Sequence, residues 1–183
     1  MKTVPEDTTA YLRRMTEADL ETVHSIEKAS FSDPWAMSCF VHEVSRNRYT
    51  CPLVLVVEEE GREEIAGYII LWFLGDELHI ANLAVRADQQ GRGWGERMVR
   101  AALYLGARWN ASYALLEVRR SNNRARQLYH KLGFDLMHIR SRYYSRPLED
   151  ALVLRLSGPF SQRRSPVEIR LEVPEGDRAR LRW

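Results

Sequence analysis

Gln90-Gly91-Arg92-Gly93-Trp94-Gly95, with Asn82-Leu83-Ala84-Val85 ahead of it and Glu96 to Trp109 behind it, is the stretch on which the reading of this chain turns. A β-rich run spans about Glu77 to Val85, and after the glycines Met98, Ala101, Ala102, Leu105 and Trp109 recur at helical spacing. The loop therefore sits at a strand-to-helix junction. Alternating glycines there let backbone N–H groups approach a ligand closely and point at it, with the positive end of the helix behind them. That geometry suits a pyrophosphate. The same loop also serves as an ordinary tight turn, so the elements around it must discriminate.

Upstream, a strand over Tyr11 to Arg14 runs into Thr16-Glu17-Ala18-Asp19, a helix-start signal, and then a helix with Leu20, Val23 and Ile26 on one side that ends near Ser30. Ser32-Asp33-Pro34-Trp35 reads as the opening of a second helix, capped by Asp33 or Ser32 with Pro34 in its first turn. Leu53 to Glu58 and Ile65 to Phe73, separated by Glu60-Gly61-Arg62, read as an antiparallel hairpin. Downstream come a strand at Tyr113 to Val118, and a helix over Asn122 to Leu132 with Ala125, Leu128, Tyr129 and Leu132 turned inward and Gly133 as its cap. Phe134 to Arg142 and Asp150 to Leu156 read as closing strands.

Residues 1–157 thus form one domain, and 158–183 a linker and a C-terminal extension. In that extension Val167, Ile169, Leu171 and Val173 alternate with charged residues, Pro174-Glu175-Gly176-Asp177 is turn chemistry, and Arg178 to Trp183 alternates again. A β-hairpin covering a sheet edge or a partner is expected there.

The chain has 183 residues, 45% hydrophobic and 28% charged, which is ordinary globular composition and excludes a disordered or fibrous protein. Its longest apolar runs, Pro52 to Val57 and Tyr68 to Leu74, fall short of the about 20 residues a bilayer span needs, and MKTVPEDTT has no signal-peptide core, so a cytoplasmic protein is expected. Cys39 and Cys51 read as free thiols, and His24, His42, His79, His130 and His138 are scattered singly, so no metal site is expected. Each histidine reads as a surface or satisfied core residue. Net charge is +2 overall, but Gln89 to Arg146 carries twelve basic residues against three acids, and Glu58 to Glu77 seven acids against one Arg. Such asymmetry points to a multiply phosphorylated anion, a nucleic acid or a phosphate-bearing cofactor.

Two readings of the loop compete. A dinucleotide or S-adenosylmethionine fold would use Glu117, 22 residues beyond Gly95, to hold a ribose. Against it, Glu96 occupies the third glycine of that spacing, an antiparallel hairpin precedes the loop, and only 66 residues follow Glu117. The other reading is an acetyl-CoA site. From about Tyr11 to Leu156 the chain resembles the GNAT superfamily of N-acetyltransferases: Gln90-x-x-Gly93-x-Gly95 is similar to its pyrophosphate loop, and Asn82-Leu83-Ala84-Val85 to the strand that holds the pantetheine arm. Leu116-Glu117-Val118-Arg119-Arg120-Ser121-Asn122, Ala125, Leu128-Tyr129, Gly133-Phe134, Arg142-Tyr143-Tyr144, and Trp35 after Asp33-Pro34 resemble the RimI-type branch, bacterial enzymes that acetylate the N-terminal alanine of a small-subunit ribosomal protein. Glu77-Leu78-His79-Ile80 departs slightly from the usual lead-in to the cofactor strand, a difference expected not to touch the catalytic residues.

The resemblance implies an α+β fold with a mixed, mostly antiparallel sheet of about seven strands flanked by helices, and acetyl-CoA at a splayed pair of parallel strands. It implies Glu117 as general base, Tyr129 as the acid that protonates the CoA sulfur, and cofactor contacts from Leu83, Ala84, Val85, Gln90, Gly91, Arg92, Gly93, Trp94, Gly95 and Asn122. Trp35, Tyr143 and Tyr144 would wall the acceptor site, and Arg92, Arg124 and Arg126 are candidates for the phosphates. A peptide α-amine of pKa about 8 facing a free Glu of about 4.3 makes direct proton transfer uphill by roughly 5 kcal/mol. Glu117 must therefore be raised by burial, act through ordered water that passes the proton onward, or mainly orient the amine. The substrate implied is a protein N-terminus, with a small-molecule amine acetylase or a non-catalytic acyl-CoA-binding module as alternatives. The CoA phosphates account for the basic stretch without a nucleic-acid partner, and no membrane partner is expected.

Overall fold

The computed structural model describes residues 8–45, 47, 49–160 and 170–172. In chain order these form β1 (Thr9–Arg14), a 3-10 turn (Glu17–Asp19), α1 (Leu20–Ser30), α2 (Met37–Ser45), β2 (Thr50–Glu59), β3 (Arg62–Leu74) and β4 (Glu77–Val85). A second 3-10 turn (Ala87–Gln89) leads to α3 (Trp94–Arg108), β5 (Tyr113–Arg119), α4 (Asn123–Lys131), β6 (Asp135–Ser145), β7 (Leu148–Ser157) and β8 (Arg170–Glu172). One sheet holds every strand in the order β6-β7-β5-β4-β3-β2-β1-β8. Pairing is antiparallel except for β4 with β5 and β1 with β8. The seven strands of the mixed sheet expected from the sequence are β1 to β7.

Both faces of the central strands are covered. Leu53, Leu55, Ile69 and Leu71 pack with Met98, Ala102, Tyr129 and Phe134 on the α3 and α4 side. Val54, Val56, Tyr68 and Ile70 pack with Val23, Ile26 and Phe40 on the α1 and α2 side. Two covered faces explain why Pro52 to Val57 is a continuous apolar run rather than an alternating one. The α1 entry is the capping box read from Thr16 and Asp19, in which Thr16 N–H and its hydroxyl both donate to Asp19 at 2.8 and 2.9 Å. Arg13 on β1 adds two 2.7 Å bonds to the same carboxylate, fastening the helix to the sheet edge.

The opening that makes a site follows from one irregularity. β4 and β5 pair only from Glu77 with Tyr113 to Ile80 with Leu116. At that point the β3–β4 register slips, Ile70 opposing Asn82 and Leu71 opposing Ile80, so Ala81 is an extra residue. A bulge bends and twists its strand. Beyond it β4 stays on β3 as far as Val85, β5 stays on β7 as far as Arg119, and the two parallel strands part.

Two expectations change. α2 starts at Met37 rather than at Pro34. The proposed caps are engaged elsewhere: the Ser32 hydroxyl donates to the Arg146 carbonyl at 2.8 Å, and Asp33 accepts from the Ser145 hydroxyl at 2.7 Å. Both bonds tie the α1–α2 connection to the β6–β7 turn. In the C-terminal extension, β8 lies parallel to β1, Leu12 opposite Leu171. The turn and second strand expected at 174–183 lie outside the described residues. Among the described residues no helix is long and apolar enough to cross a membrane, and no cluster of His, Cys, Asp or Glu is disposed to hold a metal ion.

Candidate active site

A cavity of about 330 Å³ lies at the splay, lined by Leu83, Ala84 and Val85, by Gln90, Gly91, Gly93, Trp94 and Gly95, and by Asn122 and Arg124. Arg86 N–H donates to Ala66 O, and the regular pairing of Ala84 with Tyr68 and Asn82 with Ile70 continues that alternation. The amides of Leu83 and Val85 therefore face away from β3, toward the gap. Gly91 and Gly93 hold φ of +87° and +85°, the left-handed region that a side chain disfavours. Space beyond Gly93 is open: a Cβ there would meet nothing within 4 Å. The Gln90 side chain stitches the loop together, donating to Val85 O at 3.0 Å and accepting from Arg124 at 2.9 Å. Asn122 caps α4 by accepting from Ala125 N–H at 3.1 Å. The buried Nε1 of Trp94 and Nε of Arg92 have no hydrogen-bond partner among the described residues. Bare amides, a helix N-terminus and the orphaned indole N–H of Trp94, which lines this cavity, together fit the diphosphate and pantetheine of acetyl-CoA.

The candidate phosphate arginines separate. Arg124 lines the cavity, whereas Arg92 is engaged with Glu59 and Arg126 lines a different groove, between α4 and β6.

A second cavity, of about 280 Å³, shares Ser30, Phe31, Leu83, Asn122, Ala125 and Leu128 with the first, so the two adjoin. Its own lining includes Glu27, Asp33, Trp35, Asn82, Glu117, Tyr129 and Tyr144. Trp35 stacks on Trp72 at 6.2 Å and Trp72 packs on His79 at 5.5 Å, a row of rings that backs the Trp35 side of the chamber. Tyr144 lies under the Arg119 guanidinium at 4.0 Å. Tyr143, 51% exposed, lies beneath Arg140 and is not part of the lining.

Glu117 is held by cations that the sequence reading did not assign to it. His79 Nε2 lies 2.8 Å from one carboxylate oxygen and Arg140 donates to the other at 2.7 Å, while Arg119 and Arg120 go to Glu149 and Asp150. The His79 bond holds Glu117 below the usual carboxylate range despite the opposing effect of burial. Elevation by burial is therefore removed from the three options. Burial alone would lower His79, but Glu117 and then Glu77, at 3.0 Å from Nδ1, outweigh it and raise the imidazole. Contrary to expectation, the unusual lead-in to the cofactor strand does touch the catalytic candidates, because Glu77 and His79 share one strand face and Tyr113 donates to Glu77 at 3.1 Å. A continuous chain of hydrogen bonds thus runs from Glu117 through His79 and Glu77 to Tyr113.

Tyr129 is buried, lines this chamber and packs edge-on against Phe134 at 5.7 Å. Burial, and secondarily the nearby Tyr144, pushes its phenol up to about 12, so it remains a proton donor at neutral pH. Glu27, only 1% exposed, accepts from Trp35 N–H at 2.8 Å, from Asn82, and from the Tyr68 hydroxyl. Burial and the Glu27 charge push the Tyr68 phenol up and keep it a donor. Sequence reading missed Glu27, Asn82 and His79 as site residues. Only His79 had a legible signal, its i, i+2 spacing from Glu77 on one strand face.

A splayed parallel strand pair, a glycine loop on a helix N-terminus and an adjoining chamber lined by Glu117 and Tyr129 define an acyl-CoA-dependent transferase. The model of the acetyltransferase (GNAT) family matches residues 20–134, and the chain belongs to that family, whose acetyl donor is acetyl-CoA. A Bacillus subtilis protein provisionally named a ribosomal protein bS18-alanine N-acetyltransferase is 37% identical over 147 residues, 80% of this chain and 95% of the relative. The ribosomal protein bS18-alanine N-acetyltransferase of Escherichia coli strain K12 is 30% identical, over 75% of this chain and 90% of its own length. The crystal structure of the Escherichia coli ribosomal-protein-S18-alanine N-acetyltransferase superposes with a TM-score of 0.72 at 26% identity, covering 81% of this chain and 94% of that one. The chain is an N-acetyltransferase similar to the RimI-type enzymes.

Proposed function

We propose that this enzyme transfers the acetyl group of acetyl-CoA directly to the α-amine of a protein N-terminus, in a ternary complex without a covalent enzyme intermediate. The substrate assigned by this reading is the N-terminal alanine of a small-subunit ribosomal protein, bS18 by the relatives' names, and the compartment is the cytoplasm. The observation that carries the reading is that the cavity beside the glycine loop shares a wall with a chamber lined by both Glu117 and Tyr129.

Acetyl-CoA supplies an activated thioester carbonyl. The outward amides of Leu83 and Val85 bind the pantetheine arm and stabilise the developing oxyanion. Glu117 touches the amine and takes its proton. The proton is taken up by the hydrogen-bonded Glu117–His79 unit, which has room for it when the imidazole is neutral. The pair titrates as one unit. Tyr129 donates its proton to the departing thiolate; a phenol near 12 against a thiol of about 8.5 is uphill by roughly 5 kcal/mol, so the donation must be concerted with C–S cleavage.

Incubation with acetyl-CoA and a panel of peptides differing in the first residue, read by mass spectrometry, tests the assignment. A single acetyl group on the α-amine of an alanine-first peptide is the expected product. Labelling on an internal lysine, or on no peptide, would displace the N-terminal reading.

A further inference from the structure

Glu27 is a buried carboxylate that the proposed chemistry leaves without a task. It stands in the middle of α1, 1% exposed, and among the described residues it forms no ion pair. A carboxylate in such a place costs stability unless donors surround it, and an apolar side chain of the same volume is often the more stable choice. Its partners come from three other parts of the fold. One oxygen accepts Trp35 N–H at 2.8 Å, from the connection between α1 and α2. The other accepts the Tyr68 hydroxyl from β3, and Asn82 Nδ2 on β4 reaches both oxygens at 3.3 Å. Trp35 and Asn82 both line the acceptor chamber, and Asn82 directly precedes Leu83 of the cofactor strand. A carboxylate, with about four acceptor sites and no donor, suits this ring of donors in a way that an amide does not.

We propose that Glu27 is a positioning residue that clamps the Trp35 wall of the acceptor chamber to the cofactor strand through Asn82, fixing where the incoming amine stands relative to the thioester. The proposal rests on the amine-acceptor reading of that chamber. Its structural part needs no substrate to be tested: in the full-length enzyme, Glu27 shields the Trp35 amide from exchange. Glu27→Met removes every acceptor and Glu27→Gln keeps one oxygen, so the two variants form a graded pair if the first folds poorly.

Hydrogen exchange is measured on both variants together with steady-state kinetics using acetyl-CoA and an alanine-first hexapeptide. The expected result is at least tenfold faster exchange at the Trp35 amide in Glu27→Met, a smaller increase in Glu27→Gln, and unchanged protection of the Ala84 amide, which is paired with β3. Peptide KM rises about tenfold in Glu27→Gln while acetyl-CoA KM and kcat stay within about twofold. Unchanged Trp35 exchange in both variants overturns the clamp. A rise in both KM values in the same proportion, or a lowered melting temperature with neither KM altered, overturns its role in placing the acceptor. Wild-type enzyme that turns over no peptide defeats the acceptor reading instead, and the exchange data still decide the clamp.

Discussion

His79 Nε2 lies 2.8 Å from Glu117 Oε2, and its other ring nitrogen lies 3.0 Å from Glu77 Oε1, so the imidazole is held between two carboxylates. Each carboxylate favours the protonated ring, and the protonated ring in turn lowers Glu117. A proton from the substrate finds room in this unit only when His79 is neutral. Activity and the charge state of His79 are therefore opposed.

The pH dependence follows with a definite sign. kcat should rise with pH through the elevated pKa of His79, above the ordinary value of about 6.5. His79→Gln should remove that limb and leave only the titration of the substrate amine near about 8 in kcat/KM. An unchanged lower limb in the variant would separate His79 from proton transfer. Stability should run the other way: a raised histidine stabilises the fold fully below about pH 6.5 and loses that contribution as pH rises through its folded-state pKa. Melting temperatures of wild type and His79→Gln should thus converge toward alkaline pH.

Glu117→Gln and Tyr129→Phe should each lower kcat by about 100-fold, the lower end of the contribution of a positioned acid or base. Neither should alter acetyl-CoA affinity by more than about twofold, because the cofactor is held mainly by main-chain amides. Calorimetry with CoA and single-turnover kinetics separate the two quantities. Full turnover by either variant would remove that residue from the chemistry.

Gly93 has φ +85° and open space where a Cβ would stand. Gly93→Ala should cost about 1 kcal/mol of stability from backbone strain alone, since no neighbour clashes. In Gly93→Val the side chain projects where bound ligand must approach, and acetyl-CoA affinity should fall at least about tenfold. Equal CoA binding by the Val variant would place the diphosphate elsewhere.

Asp19 carries a stability prediction. Its carboxylate accepts two bonds of 2.7 Å from Arg13 and bonds of 2.8 and 2.9 Å from Thr16, and although burial opposes it, these partners keep it below the usual range. Asp19→Ala should destabilise by about 3 kcal/mol at neutral pH, some 6 to 12 °C in melting temperature. A depressed carboxylate gives its stability above about pH 4 and loses it as pH falls through its folded value, so the difference should shrink in acid. A constant difference from pH 7 to pH 3 would contradict the pairing.

Sequence patterns located the elements well where local rules apply. Thr16 and Asp19 formed the capping box they spell, and Gly133 ends α4 at φ +88°. The strands from Thr50 to Val85 were legible from β-rich runs with turn residues between them. The start of α2 was misread because Ser32 and Asp33 are good caps by composition, yet their side chains are engaged by a turn 112 and 114 residues away. No local signal carries a partnership at that separation.

By itself, the sequence placed a glycine loop between a strand and a helix, because backbone conformation at Gly91 and Gly93 and the periodicity of α3 are local properties, and the family followed from the resemblance of its motif residues. Only the tertiary structure decided which charges surround Glu117, why β4 and β5 part after Ile80, and that Glu27 joins Trp35 to Asn82. Those relations depend on strand register and on side chains from distant segments meeting in a poorly solvated interior. There a single ångström decides between a hydrogen bond and none, and a linear sequence encodes no such distance.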